Sequence, residues 1–139
     1  MKDLQALSER TGISEVDFKI ALNIPLKPCP AKTIPEARNE YRTTREGGEE
    51  KAAAFMRWNE LSLIDVEAAK NIPEILKAYH NSPDYSEAEV RGAEKLNALL
   101  LERIATVTKF DEALDLYIDA LEGTPAQKAS LLKIYELST

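Results

Sequence analysis

Few residues in this chain have side chains that could carry covalent chemistry, and they are scattered. Cys29 is the only thiol and His80 the only imidazole. A cysteine turns nucleophilic when a neighbouring base or cation favours its thiolate. These two residues lie far apart in sequence with no motif to join them, so Cys29 reads as a linker thiol without a catalytic role. His80 follows Tyr79 at the end of a helix, where an imidazole can meet free carbonyls. One His and one Cys leave no His/Cys metal set, and Gly47-Gly48 is a bare pair rather than a phosphate-cradling loop. Glu46, Glu49 and Glu50 form one carboxylate cluster, and Asp111, Glu112 and Asp115 form another. Paired carboxylates can act as general acid and base. Both clusters sit where helices begin, and there the helix dipole favours negative charge without any catalytic purpose. No catalytic residue, metal ligand or cofactor is therefore expected, and the chain reads as a non-enzyme.

The tyrosines are more orderly. Tyr41, Tyr79 and Tyr117 are spaced by 38 residues, and the chain lies on that period without gaps. Ala31-Lys32-Thr33-Ile34-Pro35-Glu36 meets Ala69-Lys70-Asn71-Ile72-Pro73-Glu74. Leu61, Leu99 and Leu137 share a column, as do Glu36, Glu74 and Glu112. Self-similarity at such a period is the mark of a helical array.

Each copy reads as a short helix followed by a long one. The first starts after Thr33 or Asn71, with Pro35 or Pro73 in the opening turn and Glu36 or Glu74 closing a capping box. Apolar residues then recur at helical spacing: Ile34, Ala37, Tyr41; Ile72, Ile75, Tyr79; Phe110, Ala113, Tyr117. The pattern stops near Thr43-Thr44, at Asn81-Ser82-Pro83 and at Leu121-Glu122-Gly123. The second helix opens at Gly48, Ser86 and Thr124. Its expected buried stripe runs through Phe55, Trp58, Leu61 and Val66, then Ala93, Leu96, Leu99, Leu100 and Ile104, then Leu131, Ile134 and Leu137. The tyrosine column and Trp58 read as packing residues rather than a ligand-stacking ladder.

The expected fold is all-α: three tandem 38-residue helix-turn-helix repeats over 31–68, 69–106 and 107–139. This arrangement resembles the α-solenoids, between the tetratricopeptide and HEAT classes. Trp58-Asn59-Glu60-Leu61 imitates the opening of a tetratricopeptide signature, but the other copies lack the tryptophan. The resemblance spans 31–139 and implies a stacked helical array; it transfers no functional residue.

Residues 1–24 depart from the repeat. Leu4 to Arg10 reads as a helix, Thr11-Gly12-Ile13 as a turn, and Ser14 to Asn23 as a second helix. The pair suits a cap on the first repeat. It also has the outline of a DNA-binding helix-turn-helix, which makes a transcriptional regulator the alternative function. The exposed positions of its second helix, Ser14, Glu15, Asp17 and Lys19, form no basic stripe. Pro25, Pro28 and Pro30 mark 25–30 as a linker.

The chain has 139 residues and a net charge of −6. Residues 1–57 hold 10 Lys+Arg against 9 Asp+Glu, and residues 58–139 hold 8 against 15. An acidic chain is a poor general binder of nucleic acid or anionic lipid. No stretch approaches the ~20 apolar residues of a membrane span, the N-terminus lacks a signal-peptide core, and a lone cysteine makes no disulfide. A cytoplasmic protein is expected. The functional expectation is a non-catalytic module that binds a protein or peptide, with neither membrane nor nucleic acid as partner. Leu132 and Tyr135 fall beside the buried stripe of the last helix. They are the expected contact residues, for a partner or for a second copy joined through that helix.

Overall fold

The structure is a computed structural model that describes residues 3–138. Met1 and Lys2 of the expected N-terminal unit, and Thr139 of the last expected repeat, lie outside the described residues. Among the described residues there are eight helices and no strand: α1 (Leu4–Thr11), α2 (Glu15–Ala21), α3 (Ile34–Thr43), α4 (Glu49–Ala68), α5 (Ile72–Asn81), α6 (Glu87–Thr106), α7 (Phe110–Asp119) and α8 (Pro125–Leu137).

Side chains set most of the helix starts. A helix opens with four amide groups that have no partner in the helix. Asp3 accepts from the amides of Gln5 and Ala6, Ser14 from Asp17, Thr33 from Glu36, Asn71 from Glu74, Ser86 from Glu89 and Thr124 from Gln127. The return bond of the capping box differs from expectation. Glu36 and Glu74 accept not from the cap residue but from the residue before it, Lys32 at 2.9 Å and Lys70 at 2.7 Å. Glu89 takes Tyr85 and Gln127 takes Gly123 in the same way. The cap residues are extended. The amide ahead of each has no helical partner of its own, and the side chain three residues into the helix takes it. Short helices end at Thr43, Asn81 and Asp119, so α7 stops two residues before the expected break at Leu121.

The chain divides into two compact units, 1–61 and 62–139, with α4 running across the division. In the first unit the buried residues are all small: Ala31, Ala37, Ala53 and Ala54. Around them the half-buried Tyr41 ring packs on Phe55 and Trp58, with centroids 6.0 and 5.7 Å away. The Lys51 ammonium stands 4.2 Å from the Tyr41 ring centroid and donates to the Tyr41 carbonyl. Arg57 Nε donates to the Ala31 carbonyl at 2.7 Å. No residue of α1 or α2 is buried. Lys19 of α2 pairs with Glu49 at 3.0 Å, and the Lys27 amide donates to the same carboxylate. That amide bond and then the Lys19 bond hold the Glu49 carboxyl below its ordinary value.

The second unit has the larger core, built from Val66, Ile75, Leu96, Leu100, Ile104, Val107 and Leu116 with Ala69, Ala78, Ala113 and Ala126. Where α5 crosses α6, Gly92 is buried, and a Cβ placed there would stand 3.4 Å from Tyr79 Cα. Lys95 Nζ closes the end of α4 by donating to the carbonyls of Val66 and Glu67. Asn97 Oδ1 on α6 accepts the Ala126 amide in the first turn of α8 at 2.9 Å.

Two expected core positions are corrected. Leu131 is exposed, and so is Phe110. In α8 the inward face is set by Ala126 and Ser130, both fully buried. Leu131 is rotated well off that face, because successive residues turn by about 100°. Phe110 is the first residue of α7, one turn ahead of the buried Ala113.

The loops before the long helices need a left-handed residue. Gly47 and Gly123 supply it at φ 74° and 80°, but Tyr85 adopts it at φ 63° with its side chain 96% exposed. That conformation is costly for any residue with a Cβ. Tyr85→Gly is expected to raise stability by about 0.5–1 kcal/mol, the relieved strain exceeding the added chain entropy. The tight crossing at Gly92 sets a second expectation. Gly92→Ala, whose methyl meets Tyr79 at ordinary contact distance, should be neutral or stabilising by up to about 1 kcal/mol. Gly92→Leu should cost about 1–3 kcal/mol by driving the Tyr79 ring away. Urea unfolding followed by circular dichroism measures all three.

Candidate interaction surface

α8 turns its small residues inward and several of its large ones outward. Ala126 and Ser130 are buried, Ile134 and Leu137 lie half-buried against the core, and the Ser130 hydroxyl donates to the Ala126 carbonyl. The opposite face carries Leu131, Leu132 and Tyr135 at 49%, 60% and 81% exposure. These three fall within a narrow arc, since residues three and four apart are neighbours on a helix. The two expected contact residues, Leu132 and Tyr135, are therefore exposed on one face of α8. Leu131, expected in the core, joins them. Exposed leucines scattered singly would need no explanation; this contiguous group is the candidate interaction surface. Charged residues bound the group: Lys128 and Glu136 are both exposed. Lys133, whose stem is largely covered, reaches Glu136 only loosely at 3.8 Å.

α7 has a second outward strip that the sequence reading passed over. Phe110, Leu114 and Ile118 follow one another at four-residue spacing and are exposed, Ile118 at 70%. The spacing is present in the sequence, but Phe110 falls in the expected core pattern, which leaves only two members. Asp111 and Asp115 run beside the strip and Asp119 follows them, with no basic residue anywhere in α7. Burial and the nearby Asp115 charge push the Asp119 carboxyl above its ordinary value.

In the first unit a groove of about 750 Å³ lies between α2 and the start of α4, lined on its apolar side by Ile13, Val16, Ile20, Phe55 and Met56. Lys51, the one cation lining it, is bonded to Glu46 at 2.9 Å and sits on the Tyr41 ring. The only cation of α2, Lys19, is the one paired with Glu49.

Of the side chains first considered for chemistry, Glu46 and Tyr41 line the groove, whereas Cys29 and His80 do not. Cys29 is a free, half-buried thiol in the linker. His80 is exposed, with its ring 5.3 Å from that of Tyr79. Tyr41, Tyr79 and Tyr117 are all half-buried. Burial, then the charges of Glu89 and Asp84, raise the Tyr79 hydroxyl above its ordinary value. Among the described residues no three His, Cys, Asp or Glu side chains stand close enough to hold a metal ion, and no helix is long and apolar enough to cross a membrane. No protein-family model, curated protein or solved structure matches the chain.

The raised Asp119 carboxyl has a pH consequence. A carboxyl whose folded pKa lies above its unfolded one binds its proton more tightly when folded. It therefore favours the fold at acid pH, and that advantage is lost as pH rises from the unfolded value through the folded one. Asp119→Asn should raise the melting temperature at pH 7 and leave it nearly unchanged at pH 3, as measured by circular dichroism melts at both. An equal shift at both values would mean that the carboxylate charge is not the cause.

Proposed function

We propose that this chain is a non-catalytic, cytoplasmic protein-interaction module built on three tandem 38-residue helical pairs of the α-solenoid kind, and that it presents the outer face of α8 to a protein or peptide. What supports the repeat is the helix register. The short helices start at Ile34, Ile72 and Phe110, and the long ones at Glu49, Glu87 and Pro125, each series at intervals of 38. The left-handed loop residues Gly47, Tyr85 and Gly123 keep the same interval. So do the buried columns Ala31, Ala69 and Val107, and Ala37, Ile75 and Ala113.

The observation that carries the functional reading is what this register makes of α8. Asn97 on α6 holds the first turn of the next long helix through its bond to the Ala126 amide. Its counterpart on α8 is Tyr135, and the counterpart of the half-buried Ala93 is Leu131. The face that receives a helix in one copy thus stands open in the next, and there it carries larger apolar side chains. The supported occupant is another helix. What supports the cytoplasmic assignment is the single thiol, which can form no internal disulfide.

The test is capture from native cell extract on immobilised wild type and on the double variant Leu132→Glu/Tyr135→Glu, with both first shown equally helical. The expected result is a protein retained by the wild type and lost by the variant, which on purification slows amide exchange in α8. Identical retained sets, or sequence-selective binding of duplex DNA at physiological salt, would overturn the proposal, the latter in favour of a DNA-binding role for α1 and α2.

A further inference from the structure

The α8 face has a symmetry that names its partner, an inference that rests on the interaction reading above. Lys128, Leu132 and Glu136 follow one another at four-residue spacing, so they form one row along the helix, and all three are exposed. Leu132 is the midpoint, with Lys128 and Glu136 each about 6 Å from it along the axis. Leu131 and Tyr135 flank the row on one side.

We propose that two copies of this chain associate through α8 packed antiparallel on α8 of the other copy, with a two-fold axis passing at Leu132. An antiparallel pairing centred there sets Leu132 against itself. It brings Lys128 of each copy opposite Glu136 of the other, so both charged ends are matched at once. Two-fold contacts are self-complementary by necessity, and a row that reads cation, apolar, anion meets that requirement only in the antiparallel sense. Run parallel, it would oppose like charges at both ends. Charge therefore selects orientation and register, and the exposed side chains of Leu131, Leu132 and Tyr135 supply the apolar contact. Glu136 is available for the exchange, since its bond to Lys133 is long and its side chain is 69% exposed.

The apolar group is small. One helix face of this length buries about half of the ~800 Å² per partner found in a standard interface. The dimer is accordingly weak and rapidly exchanging, with a dissociation constant of about 10–500 µM.

Sedimentation equilibrium of the full chain in low salt, up to about 1 mM, measures it. Lys128→Glu alone and Glu136→Lys alone should each weaken association at least about fivefold, because each turns two attractions into two repulsions. The double reversal Lys128→Glu/Glu136→Lys should recover the wild-type constant to within about twofold, since it rebuilds the same pairs with the charges exchanged. In a Cys29→Ser background, Leu132→Cys should oxidise to a disulfide-linked dimer, and Lys128→Cys should do so far more slowly. All these positions are exposed, and circular dichroism confirms that each variant folds. A double reversal no better than either single one, or association that survives Leu132→Glu, overturns the antiparallel pairing. A wild type that stays monomeric also overturns it. The interaction reading then survives only if Leu132→Glu/Tyr135→Glu still loses a captured protein, and falls with it if nothing is lost.

Discussion

The second unit depends on how closely α5 and α6 approach. At Gly92 a helix without a side chain lies against the backbone and ring of Tyr79, so near that even one added carbon would reach van der Waals contact. Glycine inside a helix is unfavourable by about 1 kcal/mol relative to alanine, and what the crossing excludes is not a methyl but any larger side chain. With the axes so near, Ile75, Leu96 and Leu100 can be buried completely although the core contains no aromatic ring. Ala54 on α4 and Ser130 on α8 are also fully buried. Small residues thus decide which side of each long helix faces in, and the large apolar residues fill the space left beside them.

Local chemistry fixes the other constraint, which is where each helix begins. An oxygen from Thr33, Asn71, Ser86 or Thr124 takes one free amide, and a side chain three residues on takes another. Each such pair uses only residues within a few positions of one another. A helix end determined this way does not wait on tertiary packing. Longer side chains then tie helices together at their ends: Arg57 reaches the Ala31 carbonyl, and Lys95 the carbonyls of Val66 and Glu67.

This division between local and distant causes explains what could be read from the residues alone. The all-helical class and the starts of α3, α5, α6 and α8 were legible, because caps and periodicity are short-range signals. So was the exposure of Leu132 and Tyr135, which fall off the stripe defined by Ile134 and Leu137. The inward face of α8 was not legible in full. Leu131, Leu132, Ile134 and Tyr135 crowd four large apolar residues into five positions, and periodicity among large residues cannot choose between adjacent faces. Ala126 and Ser130 make the choice, and their burial follows from which helix lies against them. Tyr85 was missed for a related reason: its type does not suggest a left-handed backbone, and only the loop geometry requires one. The strip on α7 escaped because burial of Phe110 was inferred from its column rather than from what covers it.

Trp58 adds an optical consequence. It is the chain's only tryptophan, and it lies in the first unit against Tyr41, with the Arg38 guanidinium 5.9 Å from its ring centroid. Residues 62–139 absorb in the near ultraviolet through tyrosine and phenylalanine alone. Tryptophan emission therefore watches the first unit by itself, whereas the far-ultraviolet helix signal sums over both. The chain carries its own built-in reporter for separating the melting of one half from that of the other, without a label or an added fluorophore.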